Sequence, residues 1–302
     1  MDKEITHREA LRLIGDDELA GLKSLSDSQG LFHLAGHVGL LAVTALAVLT
    51  LPSPWWVAAM AVHGVALVFL FTPLHESIHG TAFRTPRINE AVASAAGFLI
   101  ALPPCEFRYF HFAHHRFTQD PANDPELAGP KPGNVSRYLL YLSGLLYWKA
   151  QATNIVANAF GRRIGTYVPT AGKPKVIREA RIHLVAYGLI AVLGATFRLD
   201  VLLWLWVFPA MLGQPFLRAY LLAEHSACPF VADMLANTRT TFTNAAVRFL
   251  AWNMPHHTAH HALPSVPFHR LPVLTALLRD RLKSTAASYR EAHQQIRGAW
   301  KI

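Results

Sequence analysis

Four long segments without a formal charge constrain the fold of this chain more than any other sequence feature. The first two extend over residues 31–51 and 55–74 and are separated by a short turn. The other two extend over residues 182–197 and 201–217 and are again joined by a short turn. A helix of about twenty apolar residues crosses the ~30 Å hydrocarbon layer of a bilayer. The pattern predicts an all-α integral membrane protein with four transmembrane helices in two hairpins.

The composition agrees with a membrane location, and the distribution of basic residues along the sequence explains the positive net charge. Only 16% of residues are charged, whereas soluble domains contain roughly a quarter. A net charge of +9 would by itself allow a nucleic acid, a membrane surface or an acidic substrate as partner. The two short turns, each joining the two spans of one hairpin, contain a single basic residue, Arg198. The positive-inside rule therefore places both termini and residues 75–178 and 224–302 in the cytoplasm, and no nucleic-acid partner is expected.

The two long cytoplasmic segments predict a helical cap on the membrane helices. The chain has no internal repeat, low-complexity tract or linker, so residues 1–302 are predicted to form one membrane domain. Within the cap, residues 138–148 are too short to span a bilayer, and their aromatic side chains suit an interfacial helix or packing under the cap. The apolar spacing over residues 274–296 predicts a further helix in the tail.

Histidines form three groups in the cap or at its border with the membrane. They are His75 and His79, then His111, His114 and His115, and finally His257, His260 and His261. Residues three or four positions apart on a helix share a face, so each group presents its imidazoles together. With 17 histidines in 302 residues, HxxHH is expected on the order of 0.05 times by chance, and HxxxH about once. The two HxxHH motifs are therefore the specific signal.

The number and type of these side chains predict two metal ions. Imidazole binds iron, zinc, copper and nickel, and eight imidazoles exceed what one tetrahedral zinc ion uses. His225 directly follows the fourth predicted span, at the same expected distance from the membrane boundary as His75. It is predicted to add one more ligand. The predicted metal-binding and catalytic residues are His75, His79, His111, His114, His115, His225, His257, His260 and His261.

Other polar residues near or within the spans receive simpler predictions. Histidines inside the predicted spans have no clustered partners and are expected to make hydrogen bonds within the membrane. They are His33, His37, His63 and His183. Several carboxylates near the histidine groups can orient ligand imidazoles, although each such residue is more often a surface or capping group. They are Glu76, Glu106, Asp120, Asp124 and Glu224.

The histidine groups, their order and their spacing from the two hairpins resemble the membrane fatty acid desaturase and hydroxylase superfamily. The segment NMPHHTAHHALPSVPFHRLP, from Asn253 to Pro272, carries the same resemblance, and HHRFTQDPANDPEL, from His114 to Leu127, is similar to bacterial members. The likeness extends over about residues 30–275. It implies a mushroom-shaped protein of the bacterial inner membrane, whose cytoplasmic cap holds a di-iron site. The nine histidines named above match the ligands of that site, His225 being the additional histidine before the third group.

The expected chemistry needs partners that the chain does not carry. An aliphatic C–H bond has no accessible pKa, so its cleavage requires an oxygen-activating metal rather than acid–base catalysis. The resemblance implies two iron ions, O2 as co-substrate and a lipid or other apolar substrate. The sequence contains no GxGxxG motif, cysteine cluster or haem-domain motif. A separate donor, such as a ferredoxin or cytochrome with its reductase, is therefore predicted to supply electrons, and the basic cap would attract an acidic one.

These observations favour an oxidoreductase that desaturates an acyl chain, and they leave three alternatives. The nearest is a hydroxylase or monooxygenase of a lipid, a carotenoid or a small apolar molecule. A metal transporter is disfavoured because transport sites lie near the bilayer midplane, whereas these histidine groups lie outside the spans. A lipid-binding scaffold with a degenerate site is disfavoured because all three groups are complete.

Overall fold

Helices dominate the structure, a computed structural model that describes residues 5–129 and 131–300. The first half contains α1 (His7–Arg12), α2 (Asp16–Leu22), α3 (Asp27–Thr50), α4 (Trp55–Val68), α5 (Phe71–His79), α6 (Pro86–Leu99), α7 (Pro104–Phe117), a 3-10 helix (Pro125–Ala128), α8 (Val135–Leu142) and α9 (Leu145–Ala159). The second half contains a 3-10 turn (Thr170–Gly172), α10 (Lys173–Thr196), a π-helical segment (Leu203–Val207), α11 (Phe208–His225), α12 (Met234–Asn237), β1 (Thr240–Thr241), α13 (Ala245–Leu250), α14 (His257–Ala262), α15 (Leu271–Leu278), a 3-10 turn (Arg279–Arg281), β2 (Thr285–Ala286) and α16 (Tyr289–Gly298). The predicted all-α class is confirmed.

Two helical segments among the described residues are long and apolar enough to cross a membrane. They are Asp16–Thr50, which includes the first predicted span except its last residue, and Trp55–His79, which includes the whole second predicted span. A third crossing is counted if α6 and α7, which meet at a bend of 102°, form one broken span. The third and fourth predicted spans are also helical: the third lies in α10, and the fourth lies in the π-helical segment and α11. Neither is among the segments that are long and apolar enough to be counted as a crossing.

A proline explains why the chain before α11 is not regular α-helix. Pro209 has no N–H, so the carbonyl of Leu205, four residues earlier, lacks its helical donor. The Nε2 atom of His63, on α4, lies 3.0 Å from this oxygen and donates to it. The other ring nitrogen of His63 is 2.8 Å from the Thr44 hydroxyl. The predicted hydrogen-bonding role of His63 is therefore confirmed.

The remaining histidines of the predicted spans are bonded to the backbone in the same way. Their contacts are His33 Nε2 to Phe249 O (2.7 Å), His37 Nε2 to Ala66 O (2.9 Å) and His183 Nδ1 to Glu179 O (2.9 Å). Each imidazole thus satisfies a main-chain acceptor, as expected of polar groups inside a bilayer. None of them belongs to the histidine clusters described below.

Two glycines allow α4 and α11 to pack in close contact. A Cβ atom on Gly64 would fall on the carbonyl oxygen of Pro209, and one on Gly213 would fall on the carbonyl oxygen of Gly64. Small residues permit such close approach between membrane helices. Since α11 ends at His225 and α4 leads into α5, this contact sets the separation of two elements that carry candidate ligands.

We expect Gly213→Ala to destabilise the protein by about 1–3 kcal/mol, because the added methyl group clashes with rigid backbone rather than with a flexible side chain. Thermal unfolding of the detergent-solubilised protein measures the effect. Gly188→Ala is the matched control, because a Cβ at Gly188 of α10 has no neighbour within 4 Å. Equal melting temperatures for the two variants would contradict the close packing of α4 and α11.

The described residues contain a large apolar core and one short two-stranded sheet. Trp252, Phe83 and Phe268 are among the largest fully buried side chains of this core. Strands β1 and β2 are parallel, with Thr240 opposite Thr285. The pairing fixes the tail of the chain beside the segment that follows α11.

Two helices expected in the cap are each interrupted. Residues 138–148 do not form one helix, because α8 ends and α9 begins on either side of Gly144, which has a φ of 73°. A Cβ there would collide with the Gln214 side chain of α11, so the turn is pressed against that helix. Residues 274–296 are divided among α15, a 3-10 turn, β2 and α16. The strand pairing of β2 prevents a continuous helix in the tail.

Candidate metal centre

Four helices bring the nine predicted histidines to one region of the structure. Helix α5 carries His75 and His79 and ends immediately afterwards at Gly80, whose φ of 75° suits a left-handed cap. Helix α11 ends at His225. Helices α7 and α14 carry the two HxxHH motifs. Residues far apart in the sequence therefore meet at the ends of a few short, packed elements.

The first histidine cluster contains five side chains from α5, α7 and α14. They are His75, His79, His111, His115 and His260, and one ring nitrogen of each lies within 4.8 Å of those of the others. The Nε2 atom of His115 is 2.9 Å from that of His111 and 3.1 Å from that of His260. Five imidazoles converging in this way match the donor set of one metal ion.

The second histidine cluster contains His114, His225, His257 and His261. Ring nitrogens of His114, His225 and His261 lie within 4.8 Å of one another, and the Nε2 atoms of His225 and His257 are 3.0 Å apart. The His115 and His261 rings stack with their centroids 4.0 Å apart, which joins the two clusters. All nine predicted site residues are therefore brought together, in two adjacent groups.

The spacing within HxxHH determines which histidine enters which cluster. On a helix, positions i and i+4 lie on one face, while position i+3 is turned away from i+4 by about 100°. Helix α7 gives His111 and His115 to the first cluster and His114 to the second. Helix α14 has the opposite arrangement, with His257 and His261 in the second cluster and His260 in the first. Each motif thus contributes to both clusters.

The chemistry of these donors fits metal ions. The Nε2 atoms of His79 and His261 are buried and have no hydrogen-bond partner among the described residues, and leaving such atoms unsatisfied is costly. Burial lowers the pKa of His260 and His261 well below the ordinary value, and burial with the nearby His114 lowers the pKa of His225 to about 3. These imidazoles are therefore neutral near pH 7, as metal ligation requires.

Asp124 orients one imidazole of the second cluster. Its carboxylate lies 3.0 Å from His114 Nδ1, so this nitrogen carries the proton and Nε2 faces the cluster. The backbone N–H groups of Gln119 and Glu126 donate to Asp124 at 2.9 Å and hold it in place. Although burial lowers the pKa of His114, the Glu126 and Asp124 carboxylates raise it above the ordinary value.

The other four carboxylates named from the sequence differ in their contacts. Glu224 Oε1 lies 3.5 Å from His257 Nδ1, beside the second cluster. The remaining three bind elsewhere: Glu76 accepts from the Phe268 N–H, Glu106 accepts from Asn158 and Tyr167, and Asp120 accepts from Ala122 and Asn123 in its own loop. An orienting role toward a cluster imidazole therefore has geometric support for Asp124 and Glu224.

Sequence reasoning did not identify Glu126, which the structure places at the second cluster. Its Oε2 atom is 3.4 Å from His114 Nε2, and its Oε1 atom accepts from Lys131 Nζ at 2.8 Å. Two ligand atoms on one tetrahedral metal ion are roughly 3.4 Å apart, given bonds of about 2.1 Å. Burial raises the pKa of Glu126, but Lys131 and His114 lower it well below the ordinary value. The signal was available in the segment Asp124–Glu126, shortly after the first HxxHH motif.

A cavity of about 360 Å³ borders both clusters. It reaches His75 and His111 of the first cluster and His114 and His257 of the second. Part of its wall is aromatic, formed by Phe71, Phe107 and Phe110, and part is polar, formed by Tyr141, Gln151, Asn154 and Arg218. A small molecule held in this cavity would lie directly beside the candidate metal ligands.

Comparison with known proteins agrees with this geometry. No curated protein sequence matches the chain. The family model described as fatty acid desaturase matches residues 50–293, a range that includes all nine clustered histidines. The apolar helices of the chain, together with this family match, indicate an integral membrane oxidoreductase. The chain belongs to the fatty acid desaturase family.

Proposed function

We propose that this protein is an oxygen-dependent, di-iron membrane enzyme that desaturates the acyl chain of a fatty acid or lipid. The observation that carries the proposal is the convergence of nine histidines from four helices into two adjacent clusters beside one cavity. Membership of the family supports the oxidoreductase class. Electrons would come from a separate donor protein, such as a ferredoxin or cytochrome with its reductase.

Within this proposal, each histidine cluster would hold one iron ion. When bound, iron supplies the oxygen activation that is needed to break an aliphatic C–H bond and that no side chain offers. Asp124 orients His114 through its Nδ1 atom, and Glu126 offers a further carboxylate ligand to the second cluster. Phe71 and Phe107 line the cavity next to the first cluster and contact His75 and His111, so an apolar substrate would meet apolar surface there.

We further propose that α10 and the π-helical segment with α11 cross the bilayer, which gives four spans in one domain over residues 1–302. Large apolar side chains on α10 support this, since Ile182, Val185 and Leu189 are each about 60% exposed. Soluble proteins rarely expose such continuous apolar surface. The positive-inside rule then places both termini and the histidine clusters in the cytoplasm, and a bacterial inner membrane is the proposed location.

Mass spectrometry of total lipids tests the proposed reaction. Wild type and His115→Ala would be expressed in a bacterial host together with a compatible electron donor. A loss of two hydrogens from acyl chains in the wild type alone is the expected result. Identical lipids from the two strains, with iron bound to the wild type, would contradict an acyl substrate.

The same experiment distinguishes the alternatives. Hydroxylation of a lipid, a carotenoid or another apolar molecule by the same clusters would add one oxygen atom to the substrate instead. A metal-binding or transport protein would bind zinc and consume no oxygen with any donor. Dependence of turnover on salt tests the donor, because screening should slow an acidic donor that is attracted by the basic cap.

A further inference from the structure

The cavity beside the histidine clusters has a polar wall that a plain acyl chain would not need. Tyr141, Gln151 and Asn154 on this wall are half-buried. Their side-chain polar groups make no hydrogen bond to any residue in the described parts of the chain. Half-buried polar groups without a protein partner are available to bind water or a ligand. This wall is therefore prepared to contact a polar part of a bound molecule.

Arg218 adds a positive charge to the same wall. Its guanidinium group lies over the Tyr147 ring, 4.5 Å from the centroid, and its Nε atom donates to Gln214 Oε1 at 3.3 Å. These two contacts fix the plane of the group. Within residues 5–129 and 131–300, the two terminal nitrogens of Arg218 make no hydrogen bond, and no carboxylate forms an ion pair with it. A fixed guanidinium with two free nitrogens has the geometry that binds a carboxylate through both oxygens.

The other charged groups of the cavity have partners of their own. Lys131 forms an ion pair with Glu126 at 2.8 Å. Glu106 accepts hydrogen bonds from Asn158 and Tyr167. Glu224 lies against His257 in the second cluster, and its carboxylate also interacts electrostatically with Arg218 and Lys131 without forming an ion pair with either. Arg218 is therefore the basic side chain of this wall that forms no ion pair within residues 5–129 and 131–300.

Helix geometry relates Arg218 to the candidate metal ligands. Arg218 and His225 are both on α11, and seven residues correspond to about two turns and roughly 10 Å along the helix axis. The two positions therefore lie on nearly the same face of α11. The cavity that Arg218 lines also has the aromatic wall of Phe71, Phe107 and Phe110, and two of these rings contact His75 and His111 of the first cluster. A molecule anchored at Arg218 would extend along apolar surface towards the clusters.

We propose that Arg218, together with Tyr141, Gln151 and Asn154, forms an anion subsite that binds the free carboxylate of an amphipathic acid. The substrate is then a free acid, rather than an ester in a lipid or a thioester on a carrier. Esterification would remove the charge that faces Arg218 and one of the two acceptor oxygens. This inference rests on the proposed function and specifies the substrate class of the same cavity.

Ligand binding without turnover tests this subsite. Purified protein in nanodiscs, without an electron donor, would be titrated with decanoic acid and with methyl decanoate by isothermal calorimetry. We expect the acid to bind at least about tenfold more tightly. Arg218→Gln should abolish this preference, and Arg218→Lys, which keeps the charge but loses the two-pronged geometry, should restore part of it. Arg198→Gln is the matched control, because Arg198 is exposed and does not line the cavity.

Three results would overturn the assignment. Equal affinities for acid and ester in the wild type would show that the carboxylate is not recognised. A preference that survives in Arg218→Gln would place recognition elsewhere. Tighter binding of decyl phosphate than of decanoic acid would assign the subsite to a phosphate-bearing lipid. Because binding is measured without reduction, failure of the proposed oxidation chemistry would appear separately, as absence of iron or of oxygen consumption.

Discussion

Replacing His115 with alanine is expected to abolish oxygen-dependent turnover and to release metal from the first histidine cluster. The Nε2 atom of His115 contacts both His111 and His260, at 2.9 and 3.1 Å, so its loss removes a central donor of the cluster. The ring also stacks on His261 of the second cluster. The loss of metal affinity should exceed the roughly 10- to 100-fold that outer partners of metal ligands contribute. Metal analysis and oxygen consumption of the purified variant measure both effects.

His269→Ala provides the control for this experiment. His269 is a half-buried histidine that belongs to neither cluster. This variant should retain the metal content and activity of the wild type. Full activity of His115→Ala, or equal losses in the two variants, would contradict the assignment of His115 as a ligand.

Replacing Asp124 with asparagine should weaken metal binding to the second cluster by roughly 10- to 100-fold. The carboxylate of Asp124 fixes the proton of His114 on Nδ1 and leaves Nε2 for the cluster. An amide of the same shape can present an N–H to Nδ1, which favours the other tautomer and blocks the ligand atom. Metal content after dialysis against a graded series of chelator concentrations measures the change.

The control variant is Asp120→Asn, from the same loop. Asp120 accepts hydrogen bonds from Ala122 and Asn123 and contacts no clustered histidine. We expect this variant to retain both metal ions at chelator concentrations that remove one from Asp124→Asn. If the two variants lost metal in parallel, the effect would reflect the fold of the loop rather than the orientation of His114.

The arrangement of the histidines was largely predictable, because helical periodicity acts directly on the HxxHH spacing. Positions i and i+4 share a face, so His111 and His115 had to enter one cluster together, and likewise His257 and His261. His225 was predicted from its position after the fourth apolar segment, and it lies 3.0 Å from His257. Local spacing does not predict that α7 gives two histidines to the first cluster and one to the second, whereas α14 does the reverse. That difference depends on how the two helices pack in the tertiary structure.

Glu126 and the helices of the tail were missed for different reasons. Glu126 reaches the second cluster through a 3-10 helix that begins after Asp124, and its ion pair with Lys131 depends on tertiary structure. The tail, in contrast, carried a readable signal. The Ser288 hydroxyl accepts from the Glu291 N–H at 3.2 Å, and the pattern SxxE marks the start of α16. Apolar spacing alone had suggested one continuous helix.

The iron content of the purified wild-type protein tests the central claim most directly. The account predicts two iron ions per chain by elemental analysis, with Mössbauer parameters of high-spin iron in nitrogen-rich coordination. It also predicts that oxygen oxidises both ions after reduction. One metal ion per chain, or zinc in place of iron in protein that consumes no oxygen, would contradict the proposed di-iron oxidoreductase.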